Sequence, residues 1–298
     1  MKTAIFLRAP LYIGEASFFK SHKDTPLGEK MFGSLVVVFP TSHEGGTLIL
    51  RHNGKEWTFD SGKALSEQSS PSIAYIAFYS DVEHEVTTVT SGCGVTLTYN
   101  LYFSEENTAM KINPAPLPNE AALKSALSHL LLDPEFLPEG GNLGFGLQHQ
   151  YPISKNESIA ELLNCLKGSD SVIRRVCKDL SLDASLKVMY LDEYYNHLIM
   201  VDKVVDLSNL GEVERPITFK LRSWFGGKIV KPFGSTMELD KYLRDACVEE
   251  IWWVTKVTQF ARTETPYVAY GNEGSLGYLY GDICLVVSVG AVGRRGLM

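Results

Sequence analysis

His22-Lys23-Asp24 closes the strand-like stretch EASFFKSH and sets an imidazole and a carboxylate two residues apart. Side chains two apart on an extended chain share a face, so His22 and Asp24 can grip one metal ion from a single strand end. Further on, Gly45-Gly46-Thr47-Leu48 puts a glycine pair ahead of a strand, where a sheet must bend or admit close backbone approach. His84 follows in FYSDVEHEV, ahead of the next strand-like run. Two histidines and one carboxylate on one face of a metal leave three positions open, the arrangement of non-haem Fe(II) oxygenases. A lone His-x-Asp arises often by chance; its weight here comes from the glycine pair and the second histidine that follow it in order. His43 and His52 are rival ligands, yet neither has a carboxylate two residues on. His43, in Thr41-Ser42-His43-Glu44, suits a surface hairpin, and His52 borders the turn at Asn53-Gly54.

These residues need a scaffold of strands. Stretches 16–22, 32–39, 47–52, 55–60, 73–79, 84–90 and 94–103 have strand character, and Asn53-Gly54 between LILRH and KEWTF marks a tight hairpin. Many short strands punctuated by Gly and Pro indicate a sandwich or jelly-roll barrel. Residues 105–118 are proline-rich with little apolar content and read as a linker. Beyond it the texture changes. Helical spacing predicts helices over 119–132, 156–167 and 170–180, and a capping box from Ser235 to Glu238 predicts another near 236–248. Strand-like stretches lie at 187–202, 251–259, 266–271 and 279–289, so the second half is mixed α and β. GGNLGFGLQHQYP (140–152) reads as a glycine- and aromatic-rich loop in which His149 is structural. Trp252-Trp253 and the Tyr190–Tyr195 segment read as core.

A chain of 298 residues fits about two domains at roughly 150 residues each. With 45% hydrophobic and 21% charged residues it can bury a full core. A net charge of −7 without a basic stripe argues against nucleic acid as a partner. Arg8 interrupts the first apolar run and no small-residue cleavage site follows, so no signal peptide is expected. No segment reaches the ~18 apolar residues of a membrane span. Five scattered cysteines without a CxxC pair fit reduced, mostly buried thiols in an intracellular protein, cytoplasmic or nuclear.

The runs FFKSHKDTP, MFGSLVVVFPTSHEGGTLILRHNGKEWTFD and AFYSDVEHEVTTVTSG-x-x-VTLTYNLY resemble the fungal 2-oxoglutarate- and Fe(II)-dependent dioxygenases, relatives of the prolyl 4-hydroxylase group. The resemblance covers roughly residues 10–103, and His22, Asp24 and His84 fall on the metal-ligand positions. It implies a mostly β N-terminal double-stranded β-helix (jelly roll) over 1–104, followed at 119–298 by a mixed α+β domain or a degenerate second β-helix. YVAYGNEGSLGYLYG (267–281) resembles the C-terminal part of the same proteins. The implied cofactors are Fe(II), 2-oxoglutarate and O2, with ascorbate as an accessory reductant. The implied reaction hydroxylates an unactivated C–H bond, on a prolyl or other protein side chain, while 2-oxoglutarate is decarboxylated to succinate.

One position departs from the pattern. The distal carboxylate of 2-oxoglutarate needs a cation, because an unpaired carboxylate in a closed site is costly, and the resemblance puts an Arg or Lys about ten residues after the distal His. That count from His84 reaches Gly94. Lys20, in strand parity with His22 and Asp24, and Arg51, at the end of the strand after the glycine pair, are the candidate substitutes; for each the plainer reading is a solvated surface side chain. The resemblance also implies a Tyr-bearing strand ahead of the first core strand, for which Tyr12 is the candidate. Gly94 therefore leaves two other classes open: a catalytically impaired scaffold, or a metalloenzyme using iron and O2 without 2-oxoglutarate.

Overall fold

The computed structural model describes residues 3–13, 16–24, 31–103, 118–151, 153, 158–192, 196–207, 217–235, 246–270 and 274–295. The chain divides into two units, Met1–Asn113 and Pro114–Met298.

The first unit runs β1 (Thr3–Ile13), β2 (Phe19–His22), β3 (Met31–Val38), β4 (His43–Gly45), β5 (Leu48–His52), β6 (Lys55–Phe59), α1 (Ser61–Ser66), β7 (Ala74–Tyr79), β8 (Glu83–Val86), β9 (Val89–Gly92) and β10 (Gly94–Phe103). Its strands form two four-stranded antiparallel sheets, β1-β10-β3-β7 and β2-β8-β5-β6, with β4 and β9 paired as a short ribbon. This order is compatible with a jelly-roll core. Alternation of side chains turns Val36 and Val38 of one sheet and Leu48 and Val86 of the other into a common cavity. Leu48, Leu50 and Val82 form a buried apolar cluster, with Phe59, Ile76, Phe78, Tyr79 and Val86 packed against them.

The Asn53-Gly54 hairpin forms as read: φ is 49° at Asn53 and 73° at Gly54, and His52 pairs with Lys55 across the turn. Positive φ at both central residues matches the twist of the flanking strands. Strand β1 was not among the strand-like stretches, although it holds Tyr12, the candidate for the strand the resemblance implies. Its eleven residues pair with β10 through a register shift between Arg8 and Leu11, where Pro10 supplies no N–H to the ladder. Helix α1 was also missed. Asp60 caps it by accepting from the Lys63 amide at 3.0 Å.

The second unit runs α2 (Pro118–Leu132), β11 (Gly141–Gly146), α3 (Ile159–Leu162), α4 (Gly168–Asp179), β12 (Asp183–Asp192), β13 (His197–Val201), α5 (Ile217–Phe225), β14 (Lys228–Pro232), β15 (Val248–Thr255), β16 (Arg262–Tyr270) and β17 (Gly274–Val289). Its strands make one sheet in the order β11-β15-β14-β13-β12-β17-β16, and β11 also pairs with β17. The sheet therefore closes into a six-stranded ring with β16 appended. β15 runs parallel to both β11 and β14 while the other pairs are antiparallel. Tyr190, Ile283, Leu285 and Val287 fill the core, and Val172, Val176 and Cys177 bring α4 onto it.

Three expectations need correction here. The glycine-rich stretch read as a loop contains β11. Its glycines are required by backbone approach, since a Cβ at Gly146 would lie 1.8 Å from the Lys256 carbonyl oxygen and one at Gly144 2.5 Å from the Trp253 ring. The expected helix over 156–167 is shorter: α3 starts after Ser158, which caps it, and passes into a 3-10 turn over Leu163–Cys165. The stretch 187–202 is a hairpin of β12 and β13 rather than one strand. The helix expected near 236–248 falls mostly outside the described residues, and Val248 already belongs to β15.

Cysteine burial is also less complete than expected. Cys177 and Cys284 are buried, whereas Cys93 and Cys247 are exposed. Burial pushes the Cys177 thiol up to about 11, which leaves it unreactive. Among the described residues no helix is long and apolar enough to cross a membrane.

A buried carboxylate anchors α4. Asp170, fully buried, accepts from the backbone amides of Gln148 (3.0 Å) and His149 (3.2 Å) and from the Tyr151 hydroxyl (2.8 Å). Burial, the largest influence, raises its pKa despite those donors. Asp170→Ala removes an acceptor from three donors at once and is expected to cost about 3 kcal/mol or more. Chemical denaturation followed by circular dichroism reads this as a lower midpoint, with Asp170→Asn losing less.

Candidate metal centre

His22 ends β2 and His84 lies in β8, directly opposite it in the antiparallel ladder. Opposed residues share a face, and the two rings stand 4.3 Å apart, centroid to centroid. Asp24, two residues beyond His22, brings Oδ1 to 4.0 Å from His84 Nε2. One ligand atom from each of His22, Asp24 and His84 lies within 4.8 Å of the others.

Each of the three side chains is oriented by a second contact. His22 Nδ1 donates to the Lys20 carbonyl at 2.8 Å and His84 Nδ1 to the Val82 carbonyl at 3.2 Å. A carbonyl can only accept, so both rings carry their proton on Nδ1 and present Nε2 as the metal-binding atom. Asp24 Oδ2 accepts from the Ser34 hydroxyl, leaving Oδ1 turned towards His84. Burial lowers the His84 pKa, more than its carbonyl contact and Asp24 raise it. His84 is therefore held neutral, the form that ligates a cation. Phe78 packs on the His84 ring at 4.7 Å and Phe19 on the His22 ring at 5.1 Å.

The donor set suits a first-row transition metal: two imidazoles and one carboxylate, with a cavity of about 560 Å3 on the open side. Val36, Val38, Leu48, Phe59, Phe78 and Val86 supply its apolar walls. Ser34, Ser61, Thr96 and Thr98 supply hydroxyls, and Lys23 sits beside the ligands.

The remaining candidates fall elsewhere. Lys20 is exposed and outside the cavity lining. The parity that was to bring it inward is broken by a register shift between Phe19 and His22, which sets Phe19 opposite Val86 and His22 opposite His84. Phe19 takes the inward place instead. Arg51 is turned to carboxylates: Nε donates to Glu56 at 2.7 Å and Nη2 to Glu85 at 2.8 Å. Those bonds raise its pKa and occupy its guanidinium. It sits one residue out of phase with inward-facing Leu50 and is outside the cavity lining. Tyr12 lies in β1 opposite Val95. His43 stays out of the triad, its Nδ1 donating to the Thr41 carbonyl at 2.9 Å, and His52 closes β5 opposite Lys55.

Ser34, Phe78 and Lys23 were not singled out in the sequence. Ser34 left a readable trace: it is the lone hydroxyl in MFGSLVVV, 2% exposed, and a buried polar group calls for a partner.

No family model matches the chain, and no curated protein matches it. Among solved structures it is similar to an oxidoreductase of the 2OG-Fe(II) oxygenase family from Burkholderia pseudomallei, at 20% identity over 33% of this chain and 43% of that one, with a TM-score of 0.27. It is also similar to a prolyl-4-hydroxylase from Pseudomonas putida, at 16% identity over 35% of this chain and 54% of that one, with a TM-score of 0.26. The chain thus spans about half the length of the structures it matches. Overlap this partial leaves the reading of the site to its own geometry.

Proposed function

We propose that the first unit is a non-haem oxygenase domain, a double-stranded β-helix that holds Fe(II) with His22 Nε2, His84 Nε2 and Asp24 Oδ1. The observation that carries this reading is the convergence of three oriented ligand atoms on a largely apolar cavity. When bound, Fe(II) would supply the capacity to activate O2 and oxidise an unactivated C–H bond while 2-oxoglutarate is decarboxylated to succinate. The chain's own residues do the rest. The Lys20 and Val82 carbonyls and the Ser34 hydroxyl fix the ligands' directions. The apolar walls exclude water, and Lys23 and Phe19 at the ligand end are placed to receive a substrate that is part polar and part apolar. A protein or peptide side chain, prolyl among them, is the proposed substrate class.

The test is metal binding and O2 consumption by the full chain, compared with His22→Ala. Wild type is expected to bind one divalent ion and gain thermal stability from it, and His22→Ala to lose both. Equal binding by the two proteins overturns the proposal. Gly94 favours a second reading, a binding module without turnover. O2 consumption that depends on His22 excludes it.

A further inference from the structure

Helix α4 carries charges in two different states. Arg175 is held by Glu120, at 3.0 Å from Nε and 2.7 Å from Nη2, and its Nη1 donates to the Ser171 hydroxyl at 2.7 Å. Asp179 accepts from Lys124 at 2.7 Å. Arg174 and Lys178 stand four residues apart and therefore on a common face of the helix. They line a cavity of about 430 Å3, completed by Ser181, Leu182, Asp183 and Ala184 where the chain turns into β12. Among the described residues Arg174 Nε is enclosed and has no hydrogen-bond partner. A buried donor on a charged group is costly to leave unbonded. The chain meets that cost in Arg174 while its neighbour Arg175 is fully bonded, which points to an acceptor from outside the chain.

The turn that follows the helix points the same way. The Leu182 amide donates to the Cys177 carbonyl at 2.8 Å and the Ser181 amide to the Lys178 carbonyl at 3.1 Å, the paired bonds that end a helix around a left-handed residue. Those bonds occupy carbonyl oxygens that would otherwise repel an anion at this end of the helix. The left-handed residue is Ser181, with φ at 54°, where glycine is the unstrained choice. Serine in that place adds a hydroxyl at the cavity beside the two cations. A guanidinium, an ammonium and a hydroxyl around one space are the donors that recognise the several oxygens of a phosphate. Asp183 is the carboxylate of the lining; it disfavours a second anionic group and can accept from a ligand hydroxyl.

We propose that this cavity of the second unit binds a small phosphate monoester whose remainder carries hydroxyls, with the phosphate against Arg174 and Lys178. The proposal concerns residues of the second unit alone and does not depend on the metal centre.

The test is calorimetric titration of the full chain with glycerol 3-phosphate, paired with thermal melting in its presence and absence. Wild type is expected to bind it at millimolar concentration or below and to melt higher with it. Glycerate, which offers a carboxylate in place of the phosphate, is expected to bind about tenfold or more weakly. Arg174→Met is expected to weaken glycerol 3-phosphate about tenfold or more, yet to melt no lower than wild type without ligand, because it removes an unbonded buried donor. Ser181→Gly is expected to melt higher without ligand, by relief of the left-handed backbone, and to bind several-fold more weakly. Arg175→Gln, outside the lining, is expected to bind as wild type does. Absence of binding at millimolar concentration overturns the proposal, as does equal binding of glycerate, an affinity that Arg174→Met leaves unmoved, or an equal loss in Arg175→Gln. A ligand-free Arg174→Met that melts well below wild type also overturns it, since the arginine would then serve the fold.

Discussion

Asp24→Ala is expected to abolish divalent-metal binding, and Ser34→Ala to weaken it about 10–100-fold, the range seen when an outer partner of a ligand is removed. The difference follows from what each side chain supplies. Asp24 is the one carboxylate of the cluster and lies 8% exposed beside a neutral imidazole. Two imidazoles without it bring a divalent charge into a largely apolar cavity uncompensated, which a low-dielectric site penalises heavily. Ser34 carries no charge to the metal. It holds Oδ2 so that Oδ1 faces His84, and its loss frees the carboxylate to rotate while leaving every ligand present. Titration of Mn(II) into each variant separates the roles. Affinity in Asp24→Ala comparable to wild type would mean that the cluster is not a metal site. Equal losses in both variants would mean that Ser34 does more than orient. Thermal melting of the metal-free variants supplies the control, since Asp24→Ala also withdraws the acceptor of a buried hydroxyl.

The triad was legible because two kinds of local information coincided. His22 and Asp24 fall two apart at a strand end, and the strands that bring in His84 announce themselves by alternation and by the Asn53-Gly54 turn. What escaped depends on contacts between distant segments. Parity placed Lys20 inward because nothing in FFKSH marks the register shift that separates Phe19 from His22. Arg51 looked available because Glu56 and Glu85 become its neighbours only when β6 and β8 pair with β5. The glycines of β11 read as a loop for the same reason: their purpose is set by Trp253 and the Lys256 carbonyl, more than a hundred residues away in sequence. Closure of the second sheet, β11 onto β17, is longer-range still. Side-chain periodicity reveals which face of an element is buried, and it carries no information on which element comes to cover that face.

Gly45→Ala is expected to destabilise the first unit by about 3 kcal/mol or more, and the glycine pair shows why. Gly45 ends β4 at a register shift against β9, with φ at 74°. An alanine there meets two separate penalties. The left-handed backbone costs an L-residue roughly 1–2 kcal/mol. In addition its Cβ would lie 2.3 Å from the Thr88 carbonyl oxygen, a backbone atom that can move only if β9 moves. Gly54 isolates the first penalty. Its φ of 73° is nearly the same, but a Cβ there meets nothing within 4 Å, so Gly54→Ala should lose only the conformational part, about 1 kcal/mol. Urea denaturation of the two variants side by side therefore measures the close approach directly, as the gap between their losses. Matching losses would show that β9 yields at little cost and that the glycine is needed for its backbone angle alone. The same substitution should also weaken metal-dependent stabilisation, because Gly46, the next residue, lines the cavity and β5 follows it to stand opposite His84. A displaced β4–β9 ribbon would reach the metal centre through that strand, whereas a change at the Asn53-Gly54 turn lies at its far end and should leave metal affinity as it is.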